Sequence, residues 1–380
     1  MVRLSKIFAL LIFAAAAVWL GASTLSTAGS DAIKLAWRVE TGKPINLSPV
    51  AIGNRVLVVP QDLPLRAYDK SNGDLKWTYE PAEGVWGRSL GTDGTRAFVC
   101  LRGGGLAALG GADGALLWKI KLGIDCQRPP LFSSGSLYVS TTFVGQGLPG
   151  DTLTGAKLFS IDPADGKINW SFTSENYLLQ TASERAGTVY TGGSYFDPTM
   201  VVDEGGPVRF YALDSLTGKQ KWVYQSDDGL PKALYATEDR LVFVGYQDFL
   251  SGLDAASGKL LWRLDTGNWV PSLIGQGDVV YYGSANTRVH AWETGSGKSI
   301  WEFNIPGGSF NYLLIKPVIA ADKMFFMSQK GTVFALDLAS GKQLWSQPTG
   351  MDARVGPNVS GDSLLMGDSK GTVYAYTMLK

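Results

Sequence analysis

The sequence predicts an all-β fold: an eight-bladed β-propeller of four-stranded antiparallel blades, its last blade closed by the N-terminal strand. Three observations predict it. A phrase made of an apolar pair, an acid, a short turn ending in Gly and a Trp four residues on is repeated seven times, ending at Trp77, Trp118, Trp170, Trp222, Trp262, Trp301 and Trp345. These Trp residues lie 39 to 52 residues apart, a period that marks an array of similar units. The two ends are also complementary. Trp37 lies 40 residues before Trp77 on the strand Ile33–Val39 with no hairpin ahead of it, and Val373–Tyr376 reads as a strand that should lead to a Trp where the sequence stops. The two halves make the eighth unit and leave no open sheet edge at the ring closure.

Taken in order, residues 1–28 stand outside the array. Arg3 and Lys6 precede an apolar run from Ile7 to Leu20, and the small residues Gly21, Ala22, Ser23, Ser26, Thr27 and Ala28 follow, the pattern of a secretory signal peptide. The mature chain is expected to begin near Gly29, with residues 29–380 forming one propeller domain. The alternative is an uncleaved membrane anchor, since the run is only slightly shorter than the roughly 18–20 residues of a span. Leu20–Gly21–Ala22–Ser23 has the form of a bacterial lipoprotein box with Ser in place of the modified Cys, so no lipid is expected there. Either way the chain is exported, to the periplasm or beyond the cell.

The clearest copy of the phrase runs from Val333 to Trp345. Val333, Ala335 and Asp337 alternate with Phe334 and Leu336, the period of a strand with two distinct faces. The Asp carboxylate can accept backbone N–H groups in the turn that follows, and Gly341 supplies the positive φ that a tight hairpin needs. The next strand carries the Trp, whose ring suits the space between neighbouring sheets; removing such a ring from full burial costs roughly 3–5 kcal/mol. Six of the seven copies keep an acid, counting Glu293, and Gly110 replaces it in the second. That hairpin is expected to be the least rigid.

Composition fits an exported, neutral β-protein. There are 47 Gly, 12 Trp and one His, and 34 basic side chains balance 34 acidic ones. No net field recruits nucleic acid or anionic lipid, so the only membrane contact expected is through an uncleaved N-terminal segment. Cys100 and Cys126 are the only thiols. In an oxidising compartment they can pair, which would join two blades, although spacing alone does not bring their β-carbons together. His290, alone and without Cys partners, reads as a packed or surface side chain rather than a metal ligand.

The recurring phrase, as in Ala335–Leu336–Asp337 through Ser340–Gly341–Lys342 to Trp345, resembles the pyrroloquinoline-quinone-type (PQQ-like) repeat over essentially all of residues 31–380. Within that superfamily the chain is similar to the BamB-type propellers of the outer-membrane β-barrel assembly machinery. The resemblance implies a non-catalytic, monomeric binding scaffold of the cell envelope with an envelope or secreted protein as partner and no cofactor. The alternative that the same repeat allows is a PQQ- and calcium-dependent quinoprotein alcohol or sugar dehydrogenase. Such enzymes are usually much longer, and often carry adjacent cysteines over the quinone and an acid- and amide-rich calcium site. None of these is evident here, nor is a nucleophile elbow or phosphate-binding loop.

Two groups of residues are candidates for binding. Two units are 52 residues long, and the excess falls between their second and third strands: Phe143–Gly155, with Gln146 and Asp151, and Ser194–Pro207, with Tyr195, Phe196, Asp197, Met200, Asp203 and Glu204. Aromatic and Met residues beside acids suit a protein-binding rim, whereas a loop folded back on its own blade would do nothing. When the segments leading into the innermost strands are aligned, Arg88, Arg128, Gln180, Lys232 and Trp269 fall in register, with Lys316 and Arg354 within one residue of it. These positions are expected at the mouth of the central channel. There the cations either bind an anionic ligand such as a carboxylate, or are satisfied by carbonyls and water.

Overall fold

The computed structural model describes residues 32–123, 125–126, 128–141, 156–174, 177–180, 182–195, 207–227, 233–245, 249–308, 316–352 and 355–379. They form eight antiparallel sheets in a ring, an eight-bladed β-propeller, and no helix occurs among them. Blade 1 runs from Val50 to Tyr79, blade 2 from Val85 to Lys121, blade 3 from Leu131 to Ser174 and blade 4 from Tyr177 to Ser226. Blade 5 spans Ala233 to Asp265, blade 6 Ser272 to Asn304 and blade 7 Val318 to Pro348. Blade 8 combines Asn358–Ser360, Ser363–Gly367 and Thr372–Met378 with the N-terminal strand Ile33–Glu40, which pairs antiparallel with Thr372–Met378 from Ile33↔Met378 to Glu40↔Thr372. In blade 4 the first strand is broken into Tyr177–Leu179 and Ser183–Arg185, both paired with Thr188–Tyr195.

Strand position in the blade decides burial. First strands of neighbouring blades, such as Ala233–Ala236 and Ser272–Gln276, lie against each other and so line the axis. Fourth strands are the outer edges and alternate exposed and half-buried, as Gln343–Pro348 does. The core sits between blades: Ile274, Tyr281 and Trp301 of blade 6 pack with Phe326, Phe334 and Leu336 of blade 7.

The repeated phrase supplies the joint between one blade and the next. Asp337 Oδ1 accepts the Ser340 N–H (2.8 Å) and hydroxyl (2.5 Å), and Gly341 N–H closes the turn on Asp337 O (2.9 Å). These donors, the Ser340 hydroxyl first, hold the Asp337 carboxyl below its ordinary value of 3.8; Thr217 and Ser257 do the same for Asp214 and Asp254. Gly341 has φ +68°, and a β-carbon there would lie 2.5 Å from the Trp301 ring of the preceding blade. Trp301 Nε1 donates to Leu338 O of the same hairpin (3.0 Å). Trp37, Trp118, Trp170, Trp222 and Trp262 donate likewise to the hairpin of the following blade. Trp345 faces the ring closure, where no such hairpin follows, and packs on Phe325 with centroids 6.0 Å apart.

The copy that lacks the acid still closes its hairpin. Gly110 keeps both backbone bonds of the hairpin, to Ala115 and Gly114, but Trp77 Nε1 above it is buried without a hydrogen-bond partner. The seam between blades 8 and 1 has its own bonds: Ser48 Oγ to Gly356 O (2.8 Å) and Asn358 Nδ2 to Pro49 O (2.9 Å).

Candidate functional site

In an antiparallel four-stranded blade, the loop between second and third strands and the connection to the next blade lie on one face of the ring. The hairpins of the repeated phrase lie on the other. The channel residues sit on connections, so they belong to the first face. Arg128, Gln180 and Lys316 together line a cavity of about 330 Å³ with Pro129, Ala182, Ala233, Leu234, Pro271, Ser272 and Leu273. These residues come from the lead-in segments and first strands of five successive blades, 3 to 7, which places the cavity at the axis.

Its charges are poorly compensated. Arg128 is half-buried, its Nε is buried without a hydrogen-bond partner, and burial, with the nearby Arg88 charge, lowers its pKa. Lys316 is open to water along the channel, yet the surrounding protein lowers its pKa as well. Arg88 is exposed and lies inside the first strand of blade 2, in an irregular stretch between the pairs Val85↔Leu101 and Leu90↔Val99, not ahead of the strand. Trp269 is partly exposed on the segment before blade 6, and its carbonyl accepts Ala285 N–H (3.0 Å). Lys232 and Arg354 lie outside the described residues.

Cys100 and Cys126 form a disulfide with Cα atoms 5.6 Å apart. Cys100 is on the second strand of blade 2, and Cys126 on the connection that leaves the same blade, so the bridge ties a blade to its own exit segment instead of joining two sheets. That segment carries Arg128, whose carbonyl lies 3.8 Å from Cys100 Sγ. The disulfide therefore anchors the backbone from which the channel cation projects.

Of the rim insertions, Phe143, Gln146, Asp151, Phe196, Asp197, Met200, Asp203 and Glu204 fall outside the described residues; Tyr195 ends the second strand of blade 4. The described strands on either side of them belong to adjacent blades, 3 and 4, and their facing ends lie on the channel face. A groove of about 410 Å³ that the sequence did not reveal lies on the same face, between Asp62–Pro64 and Glu80–Val85. Ion pairs Arg102–Asp62 and Lys119–Glu83 flank it, and the Arg102 guanidinium lies 4.8 Å from the Trp86 ring centroid. On the opposite face a wider depression of about 650 Å³ is lined by Glu238, Asp239, Asp278 and Glu293 with Arg185.

Blade 6 holds a Ser–His–Glu alignment that only the fold brings together. Ser284 Oγ lies 3.1 Å from His290 Nε2, and His290 Nδ1 lies 3.5 Å from Glu302 Oε2. The order is that of a hydrolytic triad, but Ser284 is fully buried and its hydroxyl donates to Asn286 Oδ1, so no substrate carbonyl reaches it. His290 stacks on Tyr282 at 4.8 Å and is a packed core side chain. The donor set does not fit a calcium–quinone pair either. Among the described residues no carboxylate lines the axial cavity, and no three His, Cys, Asp or Glu side chains gather to hold a metal.

Comparison with known proteins agrees with this geometry. The outer membrane protein assembly factor BamB of Burkholderia pseudomallei is 24% identical over 369 residues, covering 90% of this chain and 88% of its own. A quinoprotein ethanol dehydrogenase of Pseudomonas aeruginosa is 28% identical, but over 47% of this chain and 31% of its own. The crystal structure of BamB from Moraxella catarrhalis superposes with a TM-score of 0.65 at 18% identity, covering 91% of this chain and 99% of that one. The profile of the family described as outer membrane protein assembly factor BamB matches residues 23–86, 80–199 and 247–379. With the repeat, the ring and these matched segments extending over most of its length, the chain belongs to the BamB family.

Proposed function

We propose that this protein is a non-catalytic binding scaffold of the bacterial envelope that takes part in outer-membrane protein assembly, docking a protein partner on the channel face of its propeller. The observation that carries the reading is the asymmetry of the two faces. The axial cavity, the groove beside Trp86 and the strand ends of blades 3 and 4 that flank the two long insertions belong to one side. The other side carries short hairpins around one wide, mostly acidic depression and no long insertion among the described residues. Family membership supports the assembly role, and the buried Ser284 supports recognition over bond-breaking. Residues 1–28 act as the export signal and residues 29–380 work in the periplasm as one unit.

The test is site-specific photo-crosslinking in growing cells. A crosslinker at Asp62, Glu83 or Met200 should capture a component of the outer-membrane assembly machinery, whereas one at Glu238 or Asp278 on the opposite face should not. Capture only from the opposite face, or of no assembly component from either, would overturn the proposal.

A further inference from the structure

The axial cavity is more specific than a charged funnel needs to be. Its walls are mixed, with apolar surface from Pro129, Ala182, Leu234, Pro271 and Leu273, and its cations come from far apart on the ring, Arg128 ahead of blade 3 and Lys316 ahead of blade 7. Four blades separate them in the order of the array, so they stand across the axis from one another. Gln180 adds an amide between apolar surfaces. No described residue of the lining is an acid, and Arg128 Nε is buried with no acceptor. Nε itself is closed off from the cavity, so a ligand meets the outer guanidinium nitrogens, and a carboxylate is the group whose geometry best matches them. At about 330 Å³ the cavity is of the size that encloses a small organic ligand and too narrow for a folded segment.

We infer that the channel is a binding site for a small organic dicarboxylate, held with one carboxylate on Arg128, the other on Lys316, and its carbon chain against the apolar wall. Two separated cations select two separated negative charges, and the apolar span between them disfavours a compact inorganic anion. The disulfide two residues before Arg128 fixes its backbone, so the site is formed before the ligand arrives. Recognition of this kind goes beyond the partner-docking role and needs no protein partner.

Calorimetric titration of the purified protein with succinate, glutarate and adipate, and with acetate and inorganic phosphate as comparators, tests it. The expected result is saturable one-to-one binding of at least one dicarboxylate, with acetate and phosphate weaker by about tenfold or more, as the loss of one charge-assisted contact implies. Arg128→Gln and Lys316→Gln should each weaken that binding by about tenfold or more, and Lys323→Gln, on the hairpin face, should leave it unchanged. Because the two channel variants lie on opposite sides of the ring, either one that keeps the wild-type melting temperature decides the matter. No saturable binding of any dicarboxylate, equal binding of phosphate or acetate, or binding unchanged in a folded channel variant would overturn the assignment.

Discussion

Replacing Gly341 by Ala tests how the blades are joined. Two effects act there. At φ +68° an L-residue is strained, by about 1–2 kcal/mol. The added β-carbon would also lie 2.5 Å from Trp301 Cδ2, so the ring must move, and overpacking of this kind costs about 1–3 kcal/mol. Gly361 provides the internal control: its φ is +63°, but a β-carbon there meets nothing within 4 Å. Gly361→Ala should therefore lose only the backbone part, about 1–2 kcal/mol, and Gly341→Ala about 3 kcal/mol in all. Guanidinium denaturation followed by Trp fluorescence measures both. Equal losses in the two variants would refute the claim that the hairpin Gly serves as the seat for the neighbouring Trp. A loss confined to Gly361→Ala would refute the packing argument altogether.

Removing the disulfide by Cys100→Ser with Cys126→Ser frees a segment of 26 residues in the unfolded chain and should lower stability by about 3.5 kcal/mol; the wild type in reductant should fall to the same denaturation midpoint, and no shift in either would contradict it. Acid should act in two steps. Burial lowers the pKa of His290 below its ordinary 6.5, against the pull of Glu302 and with the help of Arg288. The unfolded chain then binds the proton more tightly, so this stability is complete above pH 6.5 and lost as pH falls below it. Melting temperature should decline as pH falls below 6.5, and His290→Gln should flatten that decline. The lowered carboxyls of Asp214, Asp254 and Asp337 contribute stability above 3.8 that disappears only as pH falls below that value, giving a second decline.

The fold was legible because each of its joints is written locally. Asp337, Gly341 and Trp345 lie within one hairpin, and the incomplete units at Trp37 and Tyr376 foretold the closure strand. The binding surface was less legible, for a geometric reason. Arg128 and Lys316 share a cavity because blades 3 and 7 face each other across the axis, and a sequence period carries no information about ring diameter. The Ser284–His290–Glu302 alignment was hidden because three strands supply one residue each. The groove beside Trp86 joins two connections, Asp62–Pro64 and Glu80–Val85, that carry no repeated signature. Cys126 could be placed in the next repeat by counting, but only the path of the chain shows that it precedes the next sheet.

The closing strand also sets a timetable. Ile33–Glu40 is among the earliest parts of the propeller to be synthesised, yet its only strand partner among the described residues is Thr372–Met378, among the last. Until those residues arrive, the other blades can stack in order, but the array remains an open arc with unpaired strand edges at both ends. This pairing spans the length of the array and turns the arc into a ring. Truncation before Thr372 would be felt at both ends at once, leaving the first strand without a sheet and Ser363–Gly367 as an exposed edge. For a protein with so regular a repeat, the last seven residues of strand, more than any single blade, decide when folding is finished.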